Sequence, residues 1–219
     1  LKNPVMGTSV MLQGFLLQPD RQIFIDRSCL EQLLAGSHRQ ISLINALPEA
    51  QSVENGTLIL HCQPLRLDTL VHEVIDDLAA IVEQHHMTLS HYVASNLPLV
   101  NADKTQIWRV FNNLISNALK HNPNGTRIEI HAEVIQNQNT HWIRCTIRDD
   151  GIGILPFQLP DLFKLYTRGT KARRMPGLGL GLYLCQQIIT AHQGEIGVNS
   201  EPNQGSSFWF TLPVAVQHP

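Results

Sequence analysis

Two glycine clusters, Asp149-Asp150-Gly151-Ile152-Gly153-Ile154 and Gly177-Leu178-Gly179-Leu180-Gly181-Leu182, bound a stretch that holds Phe163, Lys164, Arg168, Lys171, Arg173 and Arg174. Glycines at alternate positions allow positive φ and close backbone approach. The cations between them supply charge that an anion could use. The same composition also describes a mobile surface loop between two glycine hinges, and isolated glycine motifs do not decide between the two readings.

A second candidate lies upstream. At about 100° per residue, Gln106, Arg109, Asn113, Asn117 and Lys120 fall on one stripe of a helix, with Ile107, Phe111, Leu114, Ile115 and Ala118 opposite. A solvated stripe normally favours Glu and Lys, and asparagine is a poor helix former. Two asparagines one turn apart therefore suggest a ligand role for their amide oxygens, which are hard donors suited to Mg²⁺ shared with phosphates and water. Lys120 would meet a phosphate as a point charge. The alternative at this stage is the wet face of an ordinary amphipathic helix.

Several nucleotide and hydrolase chemistries are excluded by spacing. There is no Gly-x-x-x-x-Gly-Lys-Ser/Thr loop, and the run at Gly177 lacks the Gly-x-Gly-x-x-Gly spacing of a dinucleotide fold. The His-Arg-Asp and Asp-Phe-Gly pair of eukaryotic-type protein kinases and the Gly-x-Ser-x-Gly elbow of serine hydrolases are missing too. A net charge of −2 gives no basic sheath for nucleic acid or polybasic surface for membranes, so any anion site must be local. Cys29, Cys62, Cys145 and Cys185 are scattered with no Cys-x-x-Cys pair, which argues against zinc or a disulfide framework and suits the cytoplasm. No run of about 18 apolar residues is available to span a bilayer.

These residues need elements to position them. Residues 1–17 and about 23–47 carry apolar residues at helical spacing on either side of Pro19-Asp20, which reads as an antiparallel helical hairpin. Two such stripes cannot bury each other fully, so a second copy forming a four-helix bundle is expected. A polar, turn-rich linker follows at 51–56. From residue 57 to 219 strands and helices alternate: strand-like 57–62, a helix near 68–86, a strand at 88–93, the asparagine helix at 104–121, β-rich runs at 126–135 and 142–148, a helix at 182–192, and strands at 195–199 and 206–212. Strands clustering late, with helices between, predict an α+β domain with a mixed sheet covered by helices.

The order of these features resembles the catalytic, ATP-binding domain of bacterial sensor histidine kinases, in the Bergerat-fold group with gyrase B, Hsp90 and MutL. That resemblance covers roughly residues 57–213 and implies a two-layer α/β sandwich. The segment from Asn113 through Asn117 and Lys120 to His121 is similar to the N box, which implies Asn117 as a Mg²⁺ ligand, with Asn113 and Lys120 at the phosphates of ATP. Asp149, Gly151 and Gly153 resemble the G1 box, whose first Asp accepts a hydrogen bond from the adenine amino group. The run around Phe163 and Arg168 is similar to the F box of an ATP lid. Gly177, Gly179, Leu180, Gly181 and Leu182 resemble the G2 box, and Gly205 to Phe208, including Ser207, the last glycine box. At the N-terminus, Leu1-Lys2-Asn3-Pro4 is similar to the tail of the H box, which implies a phosphoacceptor histidine two positions ahead of Leu1.

The resemblance implies a homodimer through the hairpin and a response-regulator receiver domain as partner, with no nucleic acid and no membrane contact from this segment. Three departures bear on the chemistry. Arg109 stands where the family commonly has Gln or Glu, and an acidic residue there activates water in the related ATPases, so hydrolysis is disfavoured. His121 replaces a frequent Tyr, and Leu178 a small residue. Of the other histidines, His38 and His85-His86 lack an H-box flank and read as surface or packing residues. His192, ending a helix, reads as a favourable cation at a helix C-terminus.

Overall fold

The computed structural model describes Asp26 and residues 58–137, 140–164 and 180–215. Within them lie three α-helices, α1 (Leu67–Gln84), α2 (Lys104–His121) and α3 (Gly181–Ala191), and a short 3₁₀ helix at Pro156–Asp161. The strands are β1 (Gln63–Leu65), β2 (Thr88–Tyr92), β3 (Val100–Ala102), β4 (Arg127–Asn137), β5 (Thr140–Asp149), β6 (Ile196–Ser200) and β7 (Ser206–Pro213). The hairpin expected over 1–50, the linker at 51–56, and Arg168, Gly177 and Gly179 lie outside the described residues.

The main sheet has the order β2-β4-β5-β7-β6. Only β2–β4 pairs in parallel, since the chain leaves β2 and returns through α2 before entering β4. Such a crossover needs a dozen or more residues, whereas β4 and β5 join as a hairpin and pair antiparallel. The α+β fold with a mixed sheet covered by helices is borne out. Two details differ from the sequence reading. Residues 58–62 form no strand, and the short strand begins at Gln63 instead, where it pairs with β3, an element the sequence reading missed. Three residues are too short for alternation to register, and the pairing is non-local.

Alternation along β5 and β7 decides which side chains meet the helices. Ile143, Cys145 and Ile147 pair with Leu212, Phe210 and Phe208, and all six are buried. Against this row α2 lays Ile107, Phe111, Leu114, Ile115 and Ala118, the apolar stripe read from the sequence, joined by buried Val110 and Leu119. Phe111 and Phe210 meet edge to face at 5.2 Å between centroids, a geometry aromatic quadrupoles favour. Asp103 caps α2, its Oδ1 accepting from Gln106 N at 3.1 Å. The other sheet face carries Arg144 stacked 4.1 Å over Trp209. An added Cβ at Gly197 would come within 2.5 Å of that indole, which is why no side chain fits there.

Candidate functional site

Asp149 is the last residue of β5 and continues the buried row of that strand toward the end of the sheet, paired with Ile128 on one side and Ser206 on the other. It is 5% exposed. Its Oδ1 accepts from Gly151 N at 3.0 Å. Burial raises its pKa above the ordinary carboxylate range, opposed by hydrogen bonds from Gly151 N, the Asn122 side chain and Ser206 N. Asp150, one residue on, points to solvent. It pairs with Arg127 at 2.9 Å and accepts from Arg127 N at 2.7 Å, which hold its carboxyl below the usual range.

The backbone around Asp149 is tightly enclosed. Gly153 has φ +65°, and a Cβ there would sit 1.9 Å from Glu201 O; Gly205 has φ +82°, and a Cβ there would sit 1.9 Å from Asp149 O. The Ser200 hydroxyl ties the same loop together, accepting from Ile154 N at 2.8 Å and donating to Gly205 O at 2.9 Å. At Gly151 the neighbour is Asn122, whose Oδ1 accepts from Ile152 N at 3.1 Å. Asn122 is the C-cap of α2, so the asparagine helix ends by gripping the Asp149 loop.

The middle of α2 touches a different element. Asn113 lies against Gly181 at the start of α3, with its Oδ1 3.6 Å from where a Cβ would be. It also hydrogen-bonds Cys185, a buried thiol that desolvation pushes up to about 12. Among the described residues no side chain caps the N-terminus of α3, and the first N–H groups of a helix suit an anion. Asn117 is half-buried between these two ends, and Lys120 is exposed in the last turn. From Asn113 to Asn122 the helix rises about 13–14 Å at 1.5 Å per residue. One rigid helix thus touches both the loop of the buried carboxylate and the start of α3.

The structure places the remaining predicted residues as follows. His121 lies at the surface, held below the usual histidine range by desolvation first and by Lys120 second. Phe163 and Leu182 are partly buried against the core and Leu180 is buried, so these three offer backbone or an apolar wall rather than polar contacts. Strand register pairs Ser207 with Arg148, on the face opposite Asp149, while Ser206 stands beside Asp149. The expectation for His192 is corrected. It is 3% exposed, its Nδ1 donates to Ile188 O at 2.7 Å, and its Nε2 accepts from Asp103 N at 3.0 Å. Both ring nitrogens are committed to the neutral form, and burial lowers the pKa, so the ring is not a cation at a helix end. Asn122 and Ser200 were not singled out from sequence, and Ser206 entered only as part of the Gly205–Phe208 run. The turn residues Asn122-Pro123 carried a weak signal for the first, and nothing local marked Ser200.

Residues 102–216 match the family model described as histidine kinase-, DNA gyrase B-, and HSP90-like ATPase. The chain belongs to this ATPase family. It is 32% identical over 219 residues to the adaptive-response sensory kinase SasA of Synechocystis sp., an alignment covering 98% of this chain and 56% of SasA. The chain thus spans about half the length of the curated relatives it matches. The histidine kinase AdeS of Acinetobacter baumannii shares the fold at TM-score 0.77 and 24% identity, over 98% of this chain and 97% of AdeS. The nucleotide-free catalytic domain of the histidine kinase ThkA matches at TM-score 0.60 and 25% identity, over 70% of this chain and 96% of that domain. ThkA has also been solved in complex with response regulator protein TrrA, matching at TM-score 0.71 and 18% identity over 98% of this chain and 58% of ThkA.

Proposed function

We propose that this chain is the kinase core of a two-component sensor histidine kinase, which binds Mg-ATP along α2 and transfers its γ-phosphoryl group to a histidine. The observation that carries this reading is the single helix whose C-cap Asn122 grips the Asp149 loop while its Asn113 meets the start of α3. Asp149, buried at the end of β5, accepts from the adenine amino group. The first N–H groups of α3 meet the phosphates. Gly177 and Gly179, with Arg168, extend this phosphate contact from the segment ahead of α3.

The donor set on α2 fits Mg²⁺: carboxamide oxygens are hard ligands, and the ion characteristically takes few protein groups beside phosphate and water. Among the described residues no three His, Cys, Asp or Glu cluster to form a denser metal site. Asn117 is the residue assigned to the ion, with Asn113 beside it. When bound, Mg²⁺ neutralises phosphate charge. Phosphoryl transfer to an imidazole nitrogen forms an N–P bond as the bond to the ADP oxygen breaks, so the protein's task is positioning and charge stabilisation. Arg109, in place of an acidic residue, leaves that helix position without a base for water.

The acceptor histidine lies two positions ahead of Leu1, in the H box that ends at Leu1–Pro4 and heads the dimerising hairpin of residues 1–50; the catalytic unit is 57–219. From the histidine an aspartate of a receiver domain takes the group; the ThkA–TrrA complex supports this class of partner. The cytoplasm, where ATP and receiver domains reside, is the proposed compartment, and no described helix is long and apolar enough to cross a membrane.

Isothermal titration with ATP should give saturable binding that weakens at least tenfold when Mg²⁺ is chelated. A longer protein that includes the H-box histidine should acquire acid-labile label from γ-labelled ATP. Absence of nucleotide binding would overturn the site; binding without label transfer would overturn the kinase assignment alone.

A further inference from the structure

Two imidazoles meet at the edge of the sheet, on elements the nucleotide site does not use. His72, exposed on α1, and His91, half-buried on β2, approach with Nε2 to Nε2 at 3.2 Å. Their ring centroids are 4.3 Å apart at 72°. His72 Nδ1 lies 2.7 Å from Asp68 O. A carbonyl only accepts, so Nδ1 carries the proton and His72 turns a bare Nε2 lone pair toward His91.

His91 has no fully satisfied reply. With its proton on Nε2 it donates to His72, but then its buried Nδ1, which has no hydrogen-bond partner, keeps an unmet lone pair. With the proton on Nδ1, two Nε2 lone pairs face each other across 3.2 Å. A cation between them would convert that second arrangement from repulsive to attractive.

We propose that His72 and His91 form a two-histidine site for a borderline divalent transition-metal ion of the Zn²⁺ class, with water completing its coordination. Two nitrogens each about 2.0–2.1 Å from a tetrahedral Zn²⁺ lie about 3.3–3.4 Å apart, close to the observed separation. Metal-binding histidines donate their other N–H to a carbonyl or carboxylate, and His72 already does so to Asp68 O. Burial first and the neighbouring His72 second hold His91 below the usual histidine range, which favours the neutral ring a metal needs, and the Asp68 carboxylate, engaged by Arg66 at 2.8 Å, only partly opposes this. With only two protein ligands the ion exchanges with solvent, unlike a closed four-ligand structural site. Its effect would be to tie α1 to the edge strand β2.

The test is a Zn²⁺ titration of the whole chain followed by ¹⁵N-histidine NMR, which reads each ring separately from the other surface histidines. The Nε2 resonances of His72 and His91 should shift together and saturate, with a rise in Tm that EDTA reverses. His72→Ala, at an exposed position that leaves packing intact, should weaken Zn²⁺ binding at His91 at least tenfold; H91N should do the same at His72. Zn²⁺ that shifts other histidines but neither of these, or an H72A affinity within twofold of the parent, would overturn the site.

Discussion

Asp149 and Asp150 share a side-chain type and adjacent positions, yet the strand gives them opposite fates. Pleating turns Asp149 inward onto the helix side and Asp150 outward to Arg127. The buried carboxylate is raised in pKa, so the folded protein holds its proton more tightly than the unfolded chain does. Its favourable contribution is complete below the unfolded carboxylate pKa of about 3.9 and is lost as pH rises through the folded value. Above that range Asp149 therefore lowers the stability of the nucleotide-free protein. Asp149→Asn keeps an acceptor for Gly151 N and removes the charge. The variant should melt no lower than the parent at pH 7 while losing at least tenfold in ATP affinity, measured by thermal melts and calorimetry on the same samples. A parallel loss of stability would instead make Asp149 a structural residue.

At the scale of elements, the bounds of α2, its apolar stripe and its asparagine stripe were legible from a 3.6-residue period, and the structure adds the Asp103 cap. Its partners were not legible, because the contacts of Asn122 with the 149–152 loop and of Asn113 with Gly181 join residues far apart in sequence. The strands around Asp149 show the same division. Composition marks Gly205 as a turn residue, but only the pairing of β5 with β7 explains why nothing larger fits, since Asp149 O occupies the space. Gly205→Ala combines that clash with a positive φ, two of the mechanisms that produce the largest single-site losses. It should cost about 2–4 kcal/mol in urea unfolding and weaken ATP binding together with stability, by displacing the end of β5.

Across the whole molecule, the two helices that line the site are also joined at their far ends. His192, at the C-cap of α3, accepts from the backbone N–H that opens the α2 cap, and both its nitrogens are committed to the neutral ring. Its pKa is lowered, as are those of His121 and His91. A depressed histidine contributes its full stability above the unfolded pKa of about 6.5 and loses it as pH falls through the folded value. Tm should therefore fall on acidification below about pH 6.5. His192→Gln, which can still accept from Asp103 N but does not titrate, should flatten that fall in melts recorded between pH 5 and pH 8; an unchanged slope would remove His192 from the acid response.

Local patterning determined most of the elements, the mixed α+β class, the order of the Asn, Asp-Gly-x-Gly and glycine segments, and through them the family, because periodicity and glycine spacing act over a few residues. Only the tertiary structure decided that Ser206 rather than Ser207 stands beside Asp149, that His192 is a neutral bridge rather than a terminal cation, and that Asn122 holds the loop. Each of those depends on strand register or on packing between distant segments, and one residue of register moves a side chain to the opposite face of the sheet.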